Sequence, residues 1–319
     1  SVPNVQEGYC TDDNARALLL TILLEELGIQ TPDLRRLTGI YAAFLNNAFD
    51  REKRVIRNFL SYDRRWLEEK GSEDSLGRTV WALGACVGRS KKRLLQAWAA
   101  ELFELALPLS LEATSPRTWA FVLLGIHEYL RRLSGDRLAN QVREELTQRL
   151  VTIYDKNGSE DWPWFENVVT YANAIIPHAL ILSGRWTGHP RALEIGLQTL
   201  KWLSQVQTAP QGHFRPIGSN GFYRRGHAPS YYDQQPIEAR AHIAACIEAY
   251  RTTGDEFWLK EARRAFCWFL GSNDLGLPVY DAATGGCFDG LHEDRLNQNQ
   301  GAESTLCWLL ALCEMRLLE

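Results

Sequence analysis

The feature that most constrains the fold of this 319-residue chain is an alternation between two kinds of helix-forming segment. Six segments are apolar nearly all round, which is typical of helices that are buried on every side. Between them lie five segments that are apolar on one face and carry Lys, Arg, Glu or Gln on the other. The first kind spans residues 15–24, 79–86, 119–126, 171–182, 239–250 and 304–313, and the second kind spans 32–48, 91–107, 137–154, 190–206 and 256–270.

The first kind of segment predicts inner helices and the second kind predicts outer helices. Successive inner segments begin about 40 to 65 residues apart, the interval expected when each repeat is a helix pair that cannot bury its apolar face alone. We therefore predict an all-α fold, an (α/α)6 toroid with long loops or short hairpins on one face, formed as a single domain over residues 1–319. A sixth outer helix is not visible. An open α-solenoid would use the same helix pairs.

Four long links lead from an outer segment to the next inner one, and they favour the closed fold because solenoid links are short. They are rich in Gly, Pro, Asn and aromatic residues, and they span 49–74, 154–166, 207–233 and 274–300. Each is longer than a packing connection requires. Loops of this length on a rigid scaffold usually carry function, so we expect an active site at the N-terminal ends of the inner helices.

The charge of the chain limits its partners. A formal net charge of -4 and a pI near 6.0 give no basic field for a phosphate backbone, so we expect no nucleic-acid partner and a neutral or weakly charged substrate. No apolar run reaches the roughly 18 to 20 residues of a membrane span, and no signal peptide is visible. We therefore expect no membrane partner and a soluble, cytoplasmic protein. Since Ser1 is not an initiating methionine, the sequence is compatible with a fragment of a longer protein, fused to another module.

The seven cysteines are predicted to be reduced core residues. Most of them lie within apolar helical patterns, namely Cys86, Cys246, Cys267, Cys307 and Cys313, where a thiol behaves as a small apolar group. The sequence contains neither a C-x-x-C pair nor an H-E-x-x-H motif. We expect neither a metal nor an organic cofactor.

Carboxylates and amides stand at the start of nearly every predicted inner helix. For a single helix, ordinary capping by Thr11, Ser72 or Ser115 explains such acids. A closed ring, however, would point these helix ends at one cavity, where unpaired carboxylates are costly, so several acids there indicate a site. Glycoside cleavage needs a protonated acid and a second carboxylate. The first pair of candidates is Asp13 and Asp74, and the others are Asp12, Glu73, Glu166, Asp233 and Glu238.

Aromatic and polar side chains in the same regions are candidates for substrate binding. Sugar rings present apolar faces that stack on exposed indoles and phenols, beside polar groups that bind hydroxyls. The alternative is that some of these rings plug the mouth of the barrel. The substrate-binding candidates are Tyr9, Arg78, Trp162, Trp164, Tyr171, His227, Tyr232, Gln234, Asp289, Gln300 and Glu303.

Three stretches resemble the six-hairpin glycosidase superfamily. They are Gly8-Tyr-Cys-Thr-Asp-Asp-Asn-Ala-Arg16, Gly71-Ser-Glu-Asp-Ser-Leu-Gly-Arg78, and 284–290 together with 299–304. The run from Asp12 to Ala15 is similar to the paired-aspartate signature of bacterial α-1,6-mannanases, although here it opens the chain. The resemblance implies a sugar substrate and a glycoside hydrolase that works without a metal.

Other functions remain as alternatives. A sugar epimerase of the N-acyl-glucosamine type would use paired histidines, for which His178 and His242 are the candidates; as core residues, each would hold one hydrogen bond. A polysaccharide lyase would use Tyr231, Tyr232 and His227. A terpene cyclase would need a further acid where Arg16 stands, and a lanthionine cyclase would need a zinc site that is not evident. A noncatalytic carbohydrate-binding module is the alternative outside the enzymes.

Overall fold

The computed structural model describes residues 4–318. Within them the chain forms two compact units, one up to Thr147 and one from Gln148. The helices of the first unit are α1 (Thr11–Glu26), α2 (Pro32–Ala48), α3 (Glu73–Arg89), α4 (Arg93–Ala106) and α5 (Pro116–Leu130). Helix α6 (Arg137–Asn157) runs across the boundary. The second unit continues with α7 (Ile175–Thr187), α8 (Pro190–Val206), α9 (Pro236–Thr253), α10 (Glu256–Phe269) and α11 (Ala302–Arg316).

The predicted alternation of inner and outer helices is confirmed in each unit. In the first, α3 packs between α1 and α5, while α2 covers α1 and α4 covers α3. In the second, α9 packs between α7 and α11, while α8 covers α7 and α10 covers α9. All-round apolar sequences form the inner helices because neighbours bury them on several sides, whereas each outer helix keeps a solvated face. The prediction of one domain over 1–319 stays a prediction.

The fourth inner helix begins later than the sequence predicts. Its apolar pattern starts at Tyr171, but α7 starts at Ile175. Ala172 has a φ of 47°, in the left-handed region that a helix cannot contain. Tyr171 is therefore a loop residue.

Helices α3 and α5 approach each other through glycines. A Cβ atom at Gly84 would lie 2.0 Å from the carbonyl oxygen of Gly125, and one at Gly88 would lie 2.0 Å from that of Glu128. Only a residue without a side chain allows the two backbones to come this close.

An ion-pair cluster, consisting of Arg89 with Glu26 and Glu128, joins the C-terminal ends of α1, α3 and α5. Arg89 donates to Glu128 through Nε (2.7 Å) and a terminal nitrogen (2.6 Å), and it donates to Glu26 at 2.6 Å. Burial by itself would raise the pKa of Glu128, but Arg89 lowers it below its usual value. The cluster holds three inner helices together at the end remote from their first turns.

Short strand pairs lie within or next to the long links. In the first unit β1 (Tyr9–Cys10) pairs with β4 (Phe59–Leu60), and β2 (Phe49–Asp50) pairs with β3 (Val55–Ile56). In the second, β5 (Val168–Val169) pairs with β6 (Tyr223–Arg224), and β7 (Gly290–Leu291) pairs with β8 (Leu296–Asn297). All four pairs are antiparallel and precede inner helices, and two of the four, β2–β3 and β7–β8, are short hairpins as expected.

The expected reduced cysteines and the expected lack of a membrane-spanning segment can both be compared with the structure. All seven cysteines are free thiols and five are buried, whereas Cys10 and Cys267 are half-buried. In the part of the chain that is described, one helical stretch, Arg93–Leu111, is long and apolar enough to cross a membrane by length and composition alone. Core helices pass the same test, and Leu102, Phe103 and Ala106 of this stretch are buried.

Candidate active site

The first unit contains an acid cluster at the N-terminal ends of two adjacent inner helices. Asp12 and Asp13 lie in the first turn of α1, and Asp74 lies in the first turn of α3. The buried arginines Arg16 and Arg78 follow one turn later on the same helices. Arg16 donates to Asp13 at 2.8 Å, and the guanidinium of Arg78 lies 4.1 Å from the ring centroid of Phe121. Three carboxyl groups and two arginines therefore share one small region.

Asp12 is the member of this cluster with the clearest electrostatic signature. Burial raises the pKa of its carboxyl; Arg78 and Arg16 oppose the rise, while Asp74 and Asp13 add to it. Its Oδ1 atom is buried and accepts no hydrogen bond from the described residues. Burial that exceeds the effect of two neighbouring arginines favours a protonated carboxyl group, which is what general acid catalysis requires.

Asn58, in the link before α3, fixes the start of α1. Its backbone carbonyl accepts the Thr11 N–H at 2.9 Å, and its side-chain oxygen accepts the Asp12 N–H at 3.3 Å. Glu68 in turn accepts the Asn58 N–H at 2.6 Å. A Cβ atom at Gly71 would lie 2.7 Å from the Asn58 nitrogen. Because Gly71 stands just before α3, Asn58 brings the starts of α1 and α3 together.

The capping predictions for the acid-bearing helices are partly wrong. Ser72 and Ser115 cap α3 and α5 as expected. Thr11 does not cap α1: the helix already includes it, and its hydroxyl donates to the Arg57 carbonyl at 2.6 Å. The cap position belongs to Cys10, which makes no side-chain cap hydrogen bond.

Glu73, a catalytic candidate, has a structural role instead. Its carboxylate accepts the backbone N–H groups of Thr114 (2.9 Å) and Ser115 (2.8 Å) and the Thr114 hydroxyl (3.1 Å). These bonds tie α3 to the segment before α5. A carboxylate that satisfies three donors of its own protein is a poor acid or base for a substrate.

A second polar group lies before α9 in the second unit. Asp233 has a backbone φ of 54°. Its carboxylate forms a hydrogen bond with Nδ1 of His292 at 2.5 Å. Such left-handed backbone at a non-glycine residue is uncommon and often occurs at functional sites. Both side chains are about one-third exposed, at 39% and 32%. They form an accessible carboxylate–imidazole pair.

Glu238, in the first turn of α9, is buried and accepts a hydrogen bond from the Asn173 side chain at 2.7 Å. Glu166 is half-buried, and its backbone carbonyl accepts the Trp162 indole N–H at 2.8 Å. Both remain candidates of the second unit.

Trp162 and Trp164 are not the exposed stacking platforms that the sequence analysis expects. They are 2% and 0% exposed. Both rings pack on Trp202, with centroids 5.3 and 5.7 Å away, and Trp162 also packs on Tyr223 at 4.8 Å. Their apolar surface is used within the core.

Three polar candidates of the second unit also have structural partners. Gln234 is buried, and its amide donates to Asp274 at 2.6 Å and accepts the Trp268 indole N–H at 2.8 Å. Asp289 accepts the N–H of Gly301, the residue before α11, at 2.8 Å. Gln300 donates to Asp281 at 2.9 Å. These contacts shape the links rather than present groups to a ligand.

The remaining binding candidates differ in exposure. Tyr9 and His227 are exposed, Arg78 is buried beside the acid cluster, and Tyr171, Tyr232 and Glu303 are half-buried. His242, one of the two epimerase candidates, lies in the core, where burial lowers its pKa to about 3 and its Nε2 contacts the Ser204 hydroxyl at 3.2 Å. His242 is therefore a core histidine.

Three residues that no sequence prediction names have clear roles. Asn58 positions Asp12, and His292 pairs with Asp233. Asp274 forms a short ion pair of 2.5 Å with Arg215 and contacts His213 at 2.9 Å. No motif marks these residues, because their partners lie 46 to 61 positions away.

Comparison with solved structures identifies the fold. A cellobiose 2-epimerase from Bacillus thermoamylovorans B4167 has a TM-score of 0.70 at 12% identity, over 98% of this chain and 90% of that one. A sugar epimerase from a ruminal bacterium has a TM-score of 0.72 at 11% identity, over 99% and 90%. A GH76 α-mannanase from Bacteroides thetaiotaomicron has a TM-score of 0.63 at 11% identity, over 97% and 85%.

At these identities the likeness shows the fold alone. The predicted (α/α)6 class is confirmed, and the fold agrees with the resemblance to the six-hairpin glycosidase superfamily. No protein-family model and no curated protein sequence matches the chain. The similar structures include both hydrolases and epimerases of sugars, so the reaction has to be argued from the residues of this chain.

Proposed function

We propose that this protein is a glycoside hydrolase in which Asp12 is the general acid. The proposal rests mainly on half-buried Asp12, whose carboxyl has a raised pKa and whose buried Oδ1 accepts no hydrogen bond from the described residues. Because this carboxyl stays protonated to a higher pH than an ordinary aspartic acid does, its proton is available to the leaving oxygen of a glycosidic bond. The similarity to a GH76 α-mannanase supports a sugar substrate.

Asp13 and Asp74 are the two candidates for the second carboxylate. Arg16 orients Asp13, and Asp74 approaches from the neighbouring helix. As nucleophile or as base for a water molecule, one of them completes the pair of carboxyl groups that cleavage requires. Burial keeps the pKa of Asp12 raised, and Arg78 and Arg16 offset only part of that rise while they limit the repulsion among the three acids.

The test is release of reducing sugar from yeast α-mannan, hydroxyethylcellulose, xylan and mixed-linkage β-glucan. We expect turnover of at least one, and a loss of about 10²- to 10⁴-fold in kcat for Asp12→Asn. The losses for Asp13→Asn and Asp74→Asn identify the second carboxylate. Asp33→Asn, which changes an exposed acid in the first turn of α2, is the matched control and keeps full activity. Full activity in Asp12→Asn would refute the assignment.

A sugar epimerase is the second candidate, favoured by the Asp233–His292 pair. An imidazole oriented by a carboxylate is a suitable base for the proton next to a sugar carbonyl. Two of the similar structures are sugar epimerases. Incubation of cellobiose and mannose in D2O, followed by NMR, tests this function: deuterium enters C2 in the wild type and not in His292→Asn. The absence of deuterium with the wild type rejects it.

A further inference from the structure

An aromatic platform, formed by Tyr9 and Tyr62, stands on the surface of the first unit. The two rings are nearly parallel, with centroids 6.2 Å apart and planes inclined by 12°. Their side chains are 43% and 58% exposed. Large aromatic surface left in water costs free energy that burial would recover, so two aligned rings at one exposed place indicate a binding surface.

The platform is held in place before any ligand binds. Tyr9 contacts Phe44, with centroids 6.3 Å apart, and Phe44 contacts the edge of Trp66 at 5.8 Å. The guanidinium of Arg57 covers Trp66 at 4.6 Å. A ligand would lose little free energy in ordering such rings, which is the usual advantage of a preformed site.

Tyr62 is held by a tight turn between two strand-like segments. Leu60 pairs with Trp66 across the turn. Within it, the Ser61 N–H donates to the Arg65 carbonyl at 2.8 Å, the Arg64 N–H donates to the Ser61 carbonyl at 2.9 Å, and Ser61 also donates to Asp63. Tyr62 therefore lies in a turn whose backbone is held by hydrogen bonds, and not in a flexible loop.

The platform adjoins the acid cluster through the chain itself. Tyr9 is three residues before Asp12, so their Cα atoms lie no more than about 11 Å apart. Gly8 has a φ of 67°, and a Cβ atom there would lie 2.3 Å from the Leu60 carbonyl oxygen. This contact fixes strand β1 against β4, and β1 leads directly into the first turn of α1.

We propose that the Tyr9–Tyr62 platform is a glycan subsite, which binds a pyranose unit of a neutral oligo- or polysaccharide by stacking. Phenol rings match the apolar C–H faces of a sugar ring, and their hydroxyl groups reach its oxygens. The placement beside Asp12 makes the substrate a chain of several sugars rather than a monosaccharide. This last statement rests on the proposed hydrolase function, whereas binding at the platform does not.

Affinity electrophoresis in gels that contain yeast α-mannan, hydroxyethylcellulose, xylan or mixed-linkage β-glucan tests the platform. We expect the wild type to be retarded in at least one gel. Tyr9→Ala and Tyr62→Ala should each raise the apparent Kd about fivefold to tenfold, because each variant loses one stacked ring. Tyr62→Phe keeps the ring and should restore most of the affinity. Trp186→Ala, which removes an exposed aromatic side chain of the second unit, is the control and binds as the wild type does.

The outcomes separate the two proposals. Asp12→Asn should still be retarded while it releases no sugar, which assigns binding to the platform and turnover to the acid. A wild type that is retarded but cleaves no glycan refutes the hydrolase and leaves the platform. No retardation of the wild type in any gel, or alanine variants that are retarded as strongly as the wild type, would overturn the platform. A dimer by light scattering that Tyr62→Ala converts to a monomer would also overturn it, because the rings would then serve self-association.

Discussion

At the scale of single residues, Asp12 shows how catalytic readiness and stability oppose each other. Burying a carboxyl without a hydrogen bond to one of its oxygens costs free energy. The same burial raises its pKa and keeps a proton available. Residues that improve chemistry at the expense of stability are typical of active sites.

We predict that Asp12→Asn stabilises the fold at neutral pH while it lowers kcat about 10²- to 10⁴-fold. Because the folded-state pKa of Asp12 lies above the ordinary value of 3.8, the folded chain binds more protons, and stability is lost as the pH rises through that raised pKa. The amide cannot ionise, so the gain should appear near pH 7 and fade as the pH falls toward 3.8. Thermal unfolding from pH 4 to 8 measures it. Asp33→Asn should show no such gain, and a destabilised Asp12→Asn at neutral pH would contradict the argument.

The sequence predicts the acids of this site but not the residue that places them. Asp12, Asp13 and Asp74 are visible because they open inner helices. Asn58 is not, since its role depends on a contact with a backbone 46 positions away. For Trp162 and Trp164, aromatic character is readable from the sequence, but their burial follows from packing on Trp202.

We predict that Asn58→Ala lowers turnover without removing any reacting group. The variant lacks the side-chain oxygen that accepts the hydrogen bond donated by the Asp12 N–H, so the first turn of α1 shifts. We expect kcat to fall about tenfold, with a smaller change in KM. Asn58→Asp, which keeps an oxygen acceptor, should retain more activity than Asn58→Ala. Steady-state kinetics on the glycan found in the screen decides this, and an unchanged kcat in Asn58→Ala would be the contrary result.

At the scale of helices, the hydrophobic period predicts the bounds of the outer helices closely, but it predicts less well where the inner helices begin and how closely helices approach each other. The predicted bounds 32–48 and 190–206 coincide with α2 and α8. The start of α7 is misplaced because an apolar run does not reveal the left-handed φ of Ala172. The close approach of α3 and α5 is equally hidden, because a glycine within a helix is read from the sequence only as a weak helix former.

We predict opposite effects for two glycine-to-alanine changes. Gly84→Ala places a methyl group 2.0 Å from the Gly125 carbonyl oxygen, so α3 and α5 must separate. This substitution should lower the free energy of unfolding by about 1–3 kcal/mol or more. Gly39 on the exposed face of α2 has nothing within 4 Å of an added Cβ, so Gly39→Ala should stabilise by up to about 1 kcal/mol. Urea unfolding followed by circular dichroism compares both, and a neutral Gly84→Ala would show that the helices can repack.

The ion-pair cluster leads to a second prediction at this scale. Arg89→Met leaves the buried Glu128 carboxylate without its main partner, which should cost about 3–5 kcal/mol. Arg191→Met removes the exposed pairs with Asp155 and Glu194 and should cost at most about 1 kcal/mol. Thermal unfolding of the two variants measures the contrast. Similar costs would mean that solvent reaches Glu128 more freely than its burial indicates.

At the scale of the whole molecule, the charge agrees with a neutral ligand. The net charge of -4 and the pI near 6.0 provide no attractive field for a polyanion. Stacking on the Tyr9–Tyr62 platform involves apolar surface and hydroxyl groups, neither of which depends on counterions.

We therefore predict that glycan binding is nearly independent of salt. Between about 50 and 500 mM NaCl the Kd for a neutral polysaccharide should change less than about twofold. A polyanion such as heparin should bind weakly and lose affinity steeply over the same range. Affinity electrophoresis at several salt concentrations gives both values. A strong decrease of glycan affinity with salt would point to an acidic sugar held by arginines.

The ion-pair cluster and the acid cluster lie at opposite ends of the same helices. An α-helix of 17 residues is about 25 Å long, so α3 separates Asp74 from Arg89 by most of that length. A protein engineer can treat these ends as two independent modules. A mutant library confined to the first turns and their links can explore new sugar specificities. Every variant in it keeps the ion-pair cluster that joins α1, α3 and α5 at their other ends.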